Sequence, residues 1–197
     1  MPAKTHMTEE QVRKAELYAE QNLSRGLLAH TRGCVQVARE FALRFGVSME
    51  KAAVASYLHD IAKTISHDKQ AALAKEMGMS AKEIRSYPPA VLHGPLGALI
   101  ARKELGIDDP DVLQAIAAHS SGCRNMCGVA KVVFVADYIE HTRTFAGSAN
   151  LRARKYANLD EATVSVLQHK MQYLLTEKAV IDPRALECWN ELVGRPR

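Results

Sequence analysis

The stretch Lys51-Ala52-Ala53-Val54-Ala55-Ser56-Tyr57-Leu58-His59-Asp60-Ile61-Ala62-Lys63 decides how this chain is read. Residues 52–58 carry no charge, and Ser48 stands where a helix N-cap belongs, so the spacing predicts a buried helix over 49–62. His59 and Asp60 close that apolar run. A carboxylate aimed at the interior is costly unless it is paired or coordinated. Lys63 lies four residues from His59 and three from Asp60, a spacing that lets all three share one helical face. An adjacent His-Asp pair occurs by accident in many proteins. One that follows an apolar helix asks for a chemical explanation.

Outward from this segment the chain is predicted to be helical almost throughout. Alanine, leucine, glutamate and lysine dominate, and glycine and proline act as punctuation. Thr8 precedes an amphipathic stretch over 9–21 with an acidic first turn. Ser24 starts a helix through His30, Val37 and Phe41 that Gly46 ends. Further helices are expected over 68–77, from Ser80 to a break at Pro88-Pro89, over 95–105 with Pro95 in the first turn, and from Asp109-Pro110 to His119. The run 129–139 contains Lys-Val-Val-Phe-Val, which composition alone would allow as a strand. With helical surroundings and no partner strand it reads as a buried helix. Helices over 160–176 and 183–193 follow. The expected architecture is all-α and single-domain, with 1–23 as a helical extension and 24–197 as the main body.

Composition narrows the function. Of 197 residues, 47% are hydrophobic and 24% charged, which is ordinary for a soluble globular chain. The net charge of +4 comes from scattered lysines and arginines, unlike the massed basic face of a nucleic-acid binder. Residues 1–10 lack a signal-peptide pattern, and no apolar run reaches the ~20 residues needed to cross a bilayer. A cytoplasmic protein with no membrane partner is expected. Cys34, Cys123, Cys127 and Cys188 form no Cys-x-x-Cys pair and are read as reduced thiols. Cys123 and Cys127 raise a metal question by proximity, but no matching pair stands elsewhere, and they read as loop and helix-start residues.

The 8 histidines separate into two groups. His6, His67, His141 and His169 lie in polar surroundings. His30, His59, His93 and His119 fall on or at the ends of apolar helices, and Asp137 follows the apolar run Val132 to Ala136 much as Asp60 follows its own. A single histidine on an apolar helix is more often a hydrogen-bonded core residue than a ligand, and a buried aspartate is often a cap or an ion-pair partner. Six such residues in this order reverse that reading. Imidazole and carboxylate together suit iron, manganese, zinc or nickel.

The order His30, His59-Asp60, His93, His119, Asp137 resembles the H…HD…H…H…D pattern of the HD superfamily of phosphohydrolases. Three further segments are similar to the YqeK family within it: Leu92-His93-Gly94-Pro95-Leu96-Gly97-Ala98, Ala115-Ile116-Ala117-Ala118-His119-Ser120-Ser121-Gly122, and Val135-Ala136-Asp137-Tyr138-Ile139-Glu140-His141-Thr142-Arg143. The likeness runs in order over 24–189. It implies an HD-superfamily helical bundle that hydrolyses diadenosine tetraphosphate symmetrically to two ADP by attack of a metal-activated hydroxide. It also implies iron as cofactor, one or two ions, with manganese or another divalent transition metal as substitute.

Carried over residue by residue, His30, His59, Asp60 and Asp137 match the primary metal ligands, with Asp60 as the bridging, catalytic carboxylate. His93 and His119 match positions that either complete a second metal site or contact phosphate. Lys63 and Arg143 match residues facing the substrate phosphates, and Lys63 is expected to be catalytic with Asp60 by stabilising the charge that grows there. Three positions depart from the family pattern. Ser120-Ser121 replaces two threonines, His141 stands where proline is common, and Leu27 occupies a usually basic position near Arg25. The expected partner is a small dinucleoside polyphosphate, and a homodimer is compatible with the helical faces. Rival readings keep the fold as another HD nucleotidase, keep the site as a nucleotide-binding regulatory module, or treat the histidines as core hydrogen-bonders of a structural protein.

Overall fold

Local capping chemistry sets most of the helix starts. Thr8 and Gln11 form a capping box at α1 (Glu9–Asn22), and Ser24 accepts from the Leu27 N–H at α2 (Arg25–Phe45). Ser48 accepts from Lys51 N–H at α3 (Met49–Leu58), and Ser66 does the same for Lys69 at α4 (His67–Glu76). Gly46 ends α2 with φ +69°, a left-handed conformation in which a side chain would be strained. The computed structural model describes residues 7–80, 82, 84 and 89–194. The helices α5 (Pro89–Leu105), α6 (Pro110–Ala118), α7 (Gly128–Ile139), α8 (Ser148–Ala153), α9 (Leu159–Thr176) and α10 (Pro183–Val193) complete it, with no strand among the described residues.

The bundle is organised around α3 and α7. Every residue from Ala52 to Leu58 is buried, and so are nine residues of α7, including Val132 to Asp137. A helix that is apolar all round has to be wrapped by others. α2 packs on both central helices, α1 on α3, α6 on both, and α9 on α7, while α5 lies against α6 and the turn after α3. Fully buried side chains such as Leu58, Phe134 and Ile116 each contribute about 1.5–3 kcal/mol relative to exposure. The chain is a single all-α helical bundle, and none of its described helices is long and apolar enough to cross a membrane.

Three expectations need correction. The helix read over 49–62 stops at Leu58; His59 and Asp60 form a turn, and Ile61–Thr64 is a 3₁₀ helix. Asp60 takes φ −106°, ψ 6°, outside helical geometry, so His59, Asp60 and Lys63 do not share a continuous α-helical face. Pro95 lies inside α5 rather than in its first turn, because the helix already begins at Pro89. The short helix α8 gave no readable signal: its N-cap, Gly147, supplies no side-chain bond. The run 129–139 is helical as expected. The short helix expected between Ser80 and Pro88-Pro89 falls largely outside the described residues.

Candidate metal centre

Five helices deliver the site. α2 carries His30 and, one turn on, Cys34. His59 and Asp60 follow the end of α3, His93 lies on α5, His119 caps the C-terminus of α6, and Asp137 lies in the last turn of α7. All of these side chains are buried, His59 and Asp60 completely.

The two helix-terminal histidines use one device. A helix leaves its last carbonyls without an internal partner. His59 Nδ1 reaches the Ser56 carbonyl at 2.7 Å, and His119 Nδ1 reaches the Ile116 carbonyl at 2.8 Å, each three residues back. His30 Nδ1 lies 3.0 Å from Oε1 of the buried Glu140. In the neutral form of each ring Nδ1 carries the proton and donates it outward, which leaves the Nε2 lone pair facing the centre. Imidazole tautomers held this way by carbonyls and carboxylates are the usual arrangement of metal-binding histidines.

The Nε2 atoms converge on carboxylate oxygens. His30 Nε2 lies 3.1 Å from Asp137 Oδ1 and 3.3 Å from His59 Nε2, and His59 Nε2 is 3.7 Å from Asp137 Oδ1. Asp60 reaches both halves of the cluster. Its Oδ2 is 3.4 Å from His59 Nε2 and 3.9 Å from His30 Nε2, while Oδ1 is 3.2 Å from His93 Nε2 and 3.4 Å from His119 Nε2. His93 Nε2 and His119 Nε2 are 2.9 Å apart, with Ser120 Oγ 3.3 and 3.0 Å from them. Although two imidazoles lie so near, Asp60 Oδ1 is buried and has no hydrogen-bond partner among the described residues. Lone pairs facing lone pairs in a dry site are unfavourable unless a cation lies between them.

Ligand atoms of a tetrahedral ion at 2.0–2.2 Å sit about 3.3–3.6 Å apart, close to these separations. Two groups therefore fit a divalent cation: His30, Cys34, His59 and Asp137, and His59, Asp60 and His119.

Electrostatics agree with the geometry. Burial alone would raise the Asp60 pKa, but the His59 charge and the close imidazoles of His119 and His93 hold it well below the carboxylate range. Asp137 is held low against burial by His30 and by the Lys170 charge. Burial would lower His59, yet Asp60 and Asp137 raise it, whereas burial pushes His119 down to about 4. Burial also keeps the Cys34 thiol well above its ordinary pKa.

Two cations close the solvent side. Lys63 Nζ donates to Asp60 Oδ2 at 2.8 Å. An Arg143 terminal nitrogen donates to Asp137 Oδ1 at 3.0 Å, and its Nε donates to the Asp137 carbonyl at 3.1 Å. Their side chains are 40% and 38% exposed, so both can meet a ligand. Beside Arg143 opens a cleft of about 470 Å³, whose lining includes Asp137, Lys170 and Ser120 as well as Tyr138 and Phe145.

All eight residues singled out from the sequence, His30, His59, Asp60, Lys63, His93, His119, Asp137 and Arg143, meet in this one place. His169 instead pairs with the Tyr138 hydroxyl at 2.8 Å, and His141 is exposed. His6 and the His67 side chain lie outside the described residues. Cys127 caps α7 and Cys123 sits in the preceding loop, as read.

Three residues of the site escaped the sequence reading. Glu140 stood within the 135–143 segment, and its carboxylate next to Asp137 was an available signal. Cys34 was detectable as the residue one helical turn beyond His30. Lys170 offered no signal, since only the packing of α9 on α7 brings it to Asp137.

Comparison with known proteins places this arrangement. The HD domain family model matches residues 27–142, more than half of the chain. A symmetrical bis(5'-nucleosyl)-tetraphosphatase of Halalkalibacterium halodurans is 37% identical over 83% of this chain and 87% of its own length. The Bacillus subtilis protein of the same name is 32% identical over 88% and 93%. An HD superfamily hydrolase of Clostridium acetobutylicum, described as involved in NAD metabolism, has a solved structure that superposes with a TM-score of 0.85. It is 30% identical and covers 97% of this chain and 100% of that one. With its histidines and aspartates gathered in one buried cluster, the chain belongs to the HD-domain superfamily, as a close relative of the YqeK-type symmetrical bis(5'-nucleosyl)-tetraphosphatases.

Proposed function

We propose that this chain hydrolyses diadenosine tetraphosphate symmetrically, adding one water across the central phosphoanhydride to release two ADP. The reading rests above all on Asp60, whose two oxygens face separate histidine groups, one oxygen without a hydrogen-bond partner among the described residues. The substrate follows from the names of the relatives that match most of this chain. His30, His59, Asp60 and Asp137 would hold a divalent transition metal, iron in the first instance, with manganese as substitute. His93 and His119, with Asp60 Oδ1, would hold a second ion or contact phosphate. A bound divalent ion supplies an activated water near neutral pH and positive charge for the phosphoryl oxygens.

The chain's own residues do the rest. Glu140, Ser56 and Ile116 hold the imidazoles with Nε2 toward the reaction, so no ring has to reorient. Lys63 and Arg143 bind phosphate oxygens and match the charge that grows on them. ADP leaves as an anion, so these cations serve the leaving group without a proton donor. Burial of the cluster keeps bulk water from screening the carboxylates that these cations face.

Product analysis tests the reading. Protein loaded anaerobically with ferrous iron is mixed with diadenosine tetraphosphate, with Asp60→Ala alongside. The expected result is ADP alone, lost in the variant. ATP plus AMP would overturn the symmetrical cut, and binding without turnover would make the chain a nucleotide-sensing module.

A further inference from the structure

Lys170 remains unaccounted for in the reaction above. It lies on α9, facing α7, with its side chain 18% exposed. Its ammonium sits over the rings of Phe134, 4.6 Å from the centroid, and Tyr138, at 5.1 Å. The carboxylate beside it, Asp137 Oδ2, is 4.0 Å away, beyond the 2.7–3.2 Å of an N–H···O hydrogen bond. Among the described residues Lys170 Nζ donates no hydrogen bond, so the three donors of a mostly buried side chain are open to an acceptor that arrives through the cleft.

A hydrogen-bonded pair with Asp137 does not explain this placement: Arg143 holds Asp137 Oδ1 at 3.0 Å and the Asp137 carbonyl at 3.1 Å, and Oδ2, the oxygen facing Lys170, attracts it from 4.0 Å without accepting from it. Arg143 and Lys63 also lie near enough for their charges to oppose that of Lys170. Three cations turned toward one side of the cluster share the carboxylates of Asp60 and Asp137, and Lys170 has the most distant of these contacts. Lys170 and Arg143 line the same cleft, together with Asp137. An anion entering between them would supply the missing acceptors, and a chain of phosphates would engage both at once.

We propose that Lys170 is a third phosphate-binding residue of this site, donating from Nζ to phosphate oxygens of the substrate half that lies in the cleft beside Arg143. The inference rests on the phosphohydrolase reading above but needs only a polyphosphate ligand, not a particular dinucleotide. The aromatic seat keeps the ammonium aimed at the cleft while water is displaced from it. Asp137 Oδ2 holds it electrostatically without occupying its donors.

The test titrates inorganic pyrophosphate calorimetrically into manganese-saturated protein, with manganese affinity measured separately. Lys170→Met keeps the length and apolar stem and removes the charge. At a manganese concentration that saturates each protein, its pyrophosphate affinity is expected to fall about 10–100-fold, the loss of one charge-assisted hydrogen bond. Lys170→Arg is expected to recover most of that loss. Unchanged pyrophosphate affinity in Lys170→Met overturns the proposal, whether or not manganese binding weakens, since a mere partner of Asp137 would act through the metal. Wild-type protein that ignores pyrophosphate overturns it too. If wild type binds pyrophosphate through Lys170 but leaves diadenosine tetraphosphate intact, the substrate reading fails and the role of Lys170 stands.

Discussion

Replacing Gly94 by alanine tests whether the contact between α5 and α6 sets the geometry of the metal centre. Gly94 follows His93 directly, and a Cβ built on it would lie 2.6 Å from the Ala117 carbonyl oxygen. It would also lie 3.2 Å from the Ala117 carbonyl carbon and from the Ile116 oxygen. These atoms are backbone in the last turn of α6, so they cannot swing aside as a side-chain tip would. Reaching ordinary contact requires α5 to withdraw by about 0.8 Å. That motion carries His93 Nε2 away from His119 Nε2, now 2.9 Å distant, and from Asp60 Oδ1 at 3.2 Å.

Overpacking of this kind costs about 1–3 kcal/mol, which lowers the Tm of a chain this size by about 3–10 °C. A misplacement near 1 Å at a reacting centre costs about 10²-fold, so kcat should fall about 10–100-fold. Calorimetry and initial rates on metal-loaded protein measure both. Gly26→Ala is the control, since nothing lies within 4 Å of that position in α2, and it should hold or raise Tm. A Gly94→Ala protein with wild-type Tm and kcat would refute the argument that this glycine exists for the approach of α5 to α6.

Other perturbations have equally definite outcomes. Glu140→Leu removes the acceptor of His30 Nδ1 and should weaken metal binding about 10–100-fold in a metal titration; unchanged affinity would deny Glu140 its orienting role. In metal-free protein, His119 has its pKa pushed from 6.5 down to about 4, so the unfolded chain binds the proton more readily. The contribution of His119 to stability is therefore full above pH 6.5 and lost as pH falls toward 4. Chemical denaturation across that window should show a shallower pH slope in His119→Asn, and an identical slope would contradict the assignment. His59, raised by Asp60 and Asp137, holds a proton that a metal must displace. Apparent metal affinity should therefore decline as pH falls through the raised His59 pKa, on the alkaline side of 6.5, and a flat profile there would show that the ring is already neutral.

Much of this protein is determined by its sequence alone, where the signal is local. Caps at Thr8, Ser24, Ser48 and Asp109 and the glycine stop at Gly46 place helices whatever else the chain does, because they satisfy backbone groups within a few residues. Buried imidazoles and carboxylates at the ends of apolar runs mark a metal centre because burial without a partner is too costly. Tertiary structure alone decides what depends on neighbours distant in sequence. It breaks the helix at Leu58, so that Asp60 can turn one oxygen to His59 and the other to His93 and His119. It also lets Pro95 sit inside α5, where Gly94 and Gly97 lie close against α6.

Glu140 and Lys170 become part of the site only when α2 and α9 pack on α7, 110 residues separating Glu140 from the His30 it orients. A helical lysine reads as solvated surface in any one-dimensional pattern. Its desolvation, its aromatic seat and its unused donors arise only from side chains that the fold brings to it.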